Sequence, residues 1–143
     1  MNRSQLEQTQ ETDHEHLDFA RLAEMKLELG DNFLMVMQHF QSGMLARPQK
    51  IAQAFQENNP ELLAMESHSF KSVCKQLGLL QMGTLSATLE SIGRSGTLDG
   101  AGPLVEQLRD SGLWAHRELQ KYCLACNKPP PFFARSAKTS PGG

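Results

Sequence analysis

The chain has 143 residues, about one domain's worth and enough for a single buried core. A formal net charge of −2 gives no broad basic field for nucleic acid or acidic lipid. No apolar run approaches the roughly 20 residues that span a bilayer, and Met1 to Asp13 hold no apolar core of a signal peptide, so a cytoplasmic monomer that binds neither membrane nor nucleic acid is expected. Three cysteines, Cys74, Cys123 and Cys126, are too few and too odd in number for a disulfide framework. Cys123 and Cys126 form one CxxC pair without the second pair that a structural zinc site needs, so both are read as reduced.

Helical periodicity recurs along the chain, and strand signals are nearly absent. A polar segment, 1–14, is expected to be disordered. The first helix is short, about His16 to Leu29, with Gly30 ending it and Asp31 capping the next. The second runs from about Asn32 to Gln56 on a stripe of Phe33, Met37, Phe40, Met44, Ile51 and Phe55, and Pro48 should kink or split it. Asn59-Pro60-Glu61 is a strong start for the third: a cap, a proline at the first helical position and an acid in the first turn. That helix runs to about Leu77, where Gly78 closes it. The fourth covers about Leu80 to Arg94, with Met82, Leu85, Leu89 and Ile92 inward. The fifth covers about Pro103 to Cys126, with Leu104, Leu108, Ala115, Leu119 and Tyr122 inward and a soft spot at Ser111-Gly112. From 127 to 143 the Pro-, Ser-, Lys- and Gly-rich sequence reads as a disordered tail, in which Phe132-Phe133 either docks or floats free. The expected fold is all-α: an antiparallel up-down four-helix bundle over 15–126, with a short additional N-terminal helix.

The third helix carries the chemistry. Its core stripe is Leu63, Ser67, Phe70, Cys74 and Leu77, with Val73 beside it. At about 100° per residue, His68 lies about 160° from Phe70 and so faces away from the core. Ala64, Lys71, Ser72 and Lys75 share its face at spacings of three, four and seven. An exposed imidazole is a nucleophile near pH 7, and an adjacent ammonium attracts and steadies a phosphoryl group. Small neighbours leave room for an approach. Such a pair alone is usually no more than solvated surface.

The longer string His68-Ser69-Phe70-Lys71-Ser72-Val73-Cys74-Lys75-Gln76-Leu77-Gly78 resembles the phosphoacceptor segment of histidine-phosphotransfer (HPt) domains. Their pattern is His, any residue, an apolar residue, Lys, Gly or Ser, five mostly small or variable residues, then Gly. Met82, Leu85, Leu89 and Glu90 fall where that family's next helix has its apolar residues and its Leu-Glu or Leu-Gln end. Asn59-Pro60-Glu61-Leu62 and Pro48 also resemble family features, and the likeness covers about Leu17 to Ile92 well and the last helix loosely. Ser72 in place of the commoner glycine, and the bulk of Lys75 and Gln76, depart from the pattern.

The resemblance implies that His68 is phosphorylated on Nε2, that Lys71 stabilises the phosphoryl group, and that Ser72 keeps the surface open to a receiver domain. It also implies that Gly78 lets two helices approach closely. Several family members have a glutamine bonded to the histidine ring at the place of Glu90. Here Glu90 either holds the Nδ1 proton or is an ordinary acid near a helix end. Lys75 either steers an acidic receiver pocket or only adds solubility.

His14 and His16 lie in the polar N-terminal stretch, His39 and His116 have no partner pattern, no Glu-x-x-His pair falls within the bundle helices, and no P-loop is present. No metal site, no cofactor and no ATP-dependent kinase activity are expected. The implied function is relay of a phosphoryl group between receiver-domain aspartates of a two-component phosphorelay, with the receiver domains of response regulators, of a hybrid sensor histidine kinase, or of both as partners. A non-phosphorylated bundle that docks and sequesters a receiver is the alternative, and a structural adaptor unrelated to signalling is a third reading.

Overall fold

The computed structural model describes residues 15–127, so the expectations for 1–14, for His14 and for the tail beyond 127 lie outside the described residues. Five α-helices follow one another: α1 (Phe19–Leu29), α2 (Phe33–Gln56), α3 (Pro60–Gln76), α4 (Leu80–Arg94) and α5 (Ala101–Asn127). No strand occurs among the described residues. Each of α2 to α5 packs on its chain neighbours, and α5 closes the ring on α2. The fold is thus the expected four-helix bundle with one short helix before it. No described helix is long and apolar enough to cross a membrane.

Local chemistry fixes the helix ends. Asn59 Oδ1 accepts from Leu62 N–H at 3.1 Å, which caps α3, and Pro60 sits at its first position. At the far end Leu79 N–H bonds Cys74 C=O at 2.9 Å and Gly78 N–H bonds Lys75 C=O at 3.2 Å. This Schellman pairing requires the positive φ of 74° found at Gly78. The core stripe of α3 is as expected: Leu63, Ser67, Phe70, Cys74 and Leu77 are all fully buried.

Several expectations need correction. Helix α1 begins at Phe19, because Asp18 Oδ1 caps it by accepting from Arg21 N–H at 3.0 Å. Asp31 is not an N-cap: Gly30–Asn32 forms a 3₁₀ turn that runs straight into α2, and Asn32 is already helical. Pro48 does not split α2. The Met44 carbonyl it leaves without an i+4 donor faces Gly112 of α5, where a Cβ would collide with it. Ser111-Gly112 is therefore a close crossing inside an unbroken helix rather than a break. Helix α5 starts at Ala101, and its inward face takes Ala101 and Val105, leaving Leu104 and Tyr122 half-buried.

The short N-terminal helix clamps the α3–α4 turn. Glu15 Oε1 accepts from Met82 N–H at 2.8 Å, supplying the cap that Leu79 cannot give α4. Arg21 Nε donates to Gln76 C=O at 3.1 Å, and Asp18 sits against Gly78. Leu17, Leu22 and Met25 bury the apolar side of this clamp.

Candidate functional site

His68 projects from the middle of α3 with 57% of its side chain exposed. Its Nδ1 lies 2.8 Å from Oε2 of Glu90, on α4. Glu90 is otherwise buried, with 8% of its side chain exposed. Lys71 Nζ donates to Glu90 Oε1 at 2.7 Å, and Arg94 donates to Oε2 through Nε at 2.9 Å and Nη2 at 2.6 Å. One carboxylate thus accepts four bonds from three side chains.

Electrostatics decide the protonation pattern. Lys71 first, then Arg94 and His68, lower the Glu90 pKa from 4.5 to about 2 against the opposing effect of burial. Glu90 is therefore ionised near neutral pH and can only accept. Nδ1 of His68 must then carry the proton of that bond, and in the neutral ring Nε2 holds the lone pair on the far, solvent side.

Register between α3 and α4 comes from two small residues. A Cβ on Gly93 would lie 2.5 Å from Pro60 O, 2.8 Å from Ala64 N and 2.9 Å from Ala64 Cβ. Only a glycine lets α4 lie this close to the first turns of α3. Glu90 sits one turn earlier on the same helix, and so within reach of His68.

The other expected residues fall as follows. Ala64 is nearly buried against Gly93 rather than openly sharing the face of His68. Lys71 is 22% exposed and turned toward α4. Ser72 and Lys75 are exposed, and Ser72 Oγ donates to His68 C=O at 3.4 Å. Gly78 lies at the end of α3, away from His68, where a Cβ would come within 3.0 Å of Cβ of Asp18, the cap of α1. The approach of α4 to α3 is tightest at Gly93 instead.

Arg94 was not foreseen, although its i,i+4 spacing from Glu90 was a readable signal. A second cation, Arg47 of α2, donates from Nη1 to Ser69 Oγ at 2.8 Å, next to the histidine. A hollow of about 470 Å³ beside the ring is lined by Glu61, Ala64, Met65, Gly93, Arg94 and Gly96. Its exposed apolar part is Met65. Among the described residues no group of three or more His, Cys, Asp or Glu side chains is placed to hold a metal. His116, by contrast, is engaged in packing: its Nδ1 donates to Gln41 C=O at 2.9 Å.

A helical bundle with a half-exposed histidine, oriented by a buried acid on the next helix, defines a class: proteins that present an imidazole to a partner rather than enclose a substrate. The Hpt domain family model matches residues 35–116, more than half of the sequence, and the chain belongs to the Hpt domain family. Its members are histidine phosphocarriers of two-component phosphorelays rather than kinases. Among solved structures, the crystal structure of histidine-containing phosphotransfer protein B from Pseudomonas aeruginosa PAO1 is similar. It aligns with a TM-score of 0.72 and 23% identity, covering 77% of this chain and 96% of that one, which shows the common fold. No curated protein matches by sequence.

Proposed function

We infer that this protein accepts a phosphoryl group on His68 Nε2 from a receiver-domain phospho-aspartate and returns it to the aspartate of another receiver. The observation that carries this reading is the 2.8 Å bond from His68 Nδ1 to the buried, ionised Glu90, on a ring that is otherwise open to solvent. Holding the proton on Nδ1 leaves the nucleophilic lone pair on Nε2, facing the side from which a partner arrives.

In the transfer, the Nε2–P bond forms as the P–O bond of the acyl phosphate breaks, and the electron pair leaves with the aspartate carboxylate. The Nδ1 proton stays in place, so the phosphorylated ring carries a formal positive charge that the Glu90 carboxylate opposes. Return of the group runs these steps backward. Lys71 spends one N–H on Glu90 and keeps two for phosphoryl oxygens. Positioning and charge stabilisation suffice for this chemistry, and any Mg²⁺ belongs to the receiver's acidic pocket. The receivers are those of response regulators or of a hybrid sensor kinase, and the protein meets them as a cytoplasmic monomer. Ser72 keeps the approach open, and Lys75 at the rim of the face favours an acidic partner.

The test is incubation with a panel of phosphorylated receiver domains, followed by detection of acid-labile, base-stable phosphate on the chain. Transfer to the native protein and none to His68→Gln is expected. Equal labelling of the His68→Gln variant, or no transfer from any receiver of the host's complete set, would overturn the reading.

A further inference from the structure

We propose that Arg94 is a positioning residue for transfer at His68, acting through Glu90. The inference rests on His68 being the phosphoacceptor. The Glu90 carboxylate has freedom to lose. Rotation about the terminal torsion of a glutamate is soft and roughly two-fold. Lys71 holds only Oε1, so by itself it leaves Oε2 able to swing away from the ring. Arg94 places both Nε and Nη2 on Oε2, the same oxygen that meets His68 Nδ1. The planar fork of a guanidinium fixes an acceptor in direction as well as distance, which a lysine ammonium does not.

Charge supports the same role. Phosphorylation brings a doubly negative group to a ring already bonded to a carboxylate. Lys71 and Arg94 set two cations against the Glu90 carboxylate, and Glu61 adds a second acid to the hollow beside the ring, so the site is balanced rather than repulsive to the incoming group. Arg94 is also placed to meet that group or its carrier. It keeps N–H groups beyond those on Glu90, it is 66% exposed, and it lines the hollow beside His68. An ordinary surface ion pair contributes little, but here the acid is buried and has a second task.

The exposed position of Arg94 means that its removal spares the core, so Arg94→Ala should fold. Two measurements on the full chain test the proposal. Ring ¹⁵N shifts of His68 report which nitrogen holds the proton, and they need no partner. Labelling by a receiver domain charged with acetyl phosphate gives the transfer rate. In Arg94→Ala the Nε2–H tautomer should gain population and transfer should slow by about three- to tenfold, the scale of a partly screened ionic hydrogen bond. Arg94→Lys should fall between. With Glu90→Gln already in place, adding Arg94→Ala should cost markedly less, since the two act through one bond.

Unchanged ring shifts in Arg94→Ala would overturn the proposal, as would an undiminished effect in the Glu90→Gln background. His68→Gln separates the two levels of the argument. If it is still labelled, the acceptor assignment fails. If it is unlabelled while Arg94→Ala behaves as native in both measurements, only the role of Arg94 fails.

Discussion

The approach of α4 to α3 at Gly93 can be tested by a single methyl group. In Gly93→Ala the new Cβ would lie 2.5 Å from Pro60 O, a backbone atom that no rotamer change can move. A carbon–oxygen contact relaxes near 3.3 Å, so the helices must part by about 0.8 Å at this point. Overpacking of this kind costs about 1–3 kcal/mol. Replacing a helical glycine with alanine returns up to about 1 kcal/mol in helix propensity. With the full propensity return the expected net loss is up to about 2 kcal/mol, or a fall in Tm of up to roughly 7 °C. Gly43 supplies the control. It lies within α2, and a Cβ there would meet only the Arg47 side chain, at 3.6 Å. Gly43→Ala should thus gain about 0.5–1 kcal/mol. Urea denaturation of both variants reads the two signs as opposite shifts of midpoint at constant slope. Glu90 lies one turn from Gly93, so parting the helices should also stretch the 2.8 Å bond to His68 and slow phosphotransfer. A Gly93→Ala protein as stable as Gly43→Ala would refute the packing argument.

The acid limb of stability should depend on Glu90. Its pKa is about 2 when folded and 4.5 when unperturbed, so its contribution is complete above about pH 4.5 and is lost as pH falls toward 2. Glu90→Gln should flatten the stability–pH curve in that window; a slope equal to the native one would contradict the charge network. Glu15→Ala removes the acceptor that caps α4 and should cost about 1 kcal/mol by thermal unfolding, although Glu15 lies outside the four-helix ring. Cys74 is fully buried, and burial pushes its thiol up to about 12, so iodoacetamide should modify it only at the rate of unfolding, while the more exposed Cys126 reacts in the native protein. Mass spectrometry of time-resolved alkylation decides this, and rapid native labelling of Cys74 would contradict its burial. Gly112→Ala should destabilise as Gly93→Ala does, because its Cβ would strike the Met44 carbonyl that Pro48 leaves free.

What the sequence disclosed follows from the range of each interaction. The phase of His68 against Phe70 depends only on the 100° step within one helix, so its exposure was readable. The start of α3 at Asn59-Pro60 and its end at Gly78 are local for the same reason. Cross-helix register is different. It follows from Gly93 meeting Ala64 and Pro60, and periodicity contains no trace of that contact. The Lys71 ammonium was therefore readable as a neighbour of His68, but its bond to Glu90, nineteen residues on, was not. The clamp by α1 is more distant still, since Glu15 and Met82 are sixty-seven residues apart.

The same contacts make sense of the carboxylate at position 90, where the resembled pattern ends in Leu-Glu or Leu-Gln and several family members have a glutamine bonded to the ring. A glutamine has one acceptor oxygen, and its amide nitrogen can only donate. At position 90 that oxygen could serve His68 or Lys71, and the amide N–H groups would then face a cation that also donates. Glu90 instead accepts from His68, Lys71 and Arg94 together, and two of those three carry a fixed positive charge. The acid is therefore best understood with its cations. Lys71 and Arg94 favour a carboxylate over an amide at this position, and the ionised carboxylate in turn holds the imidazole with its proton inward.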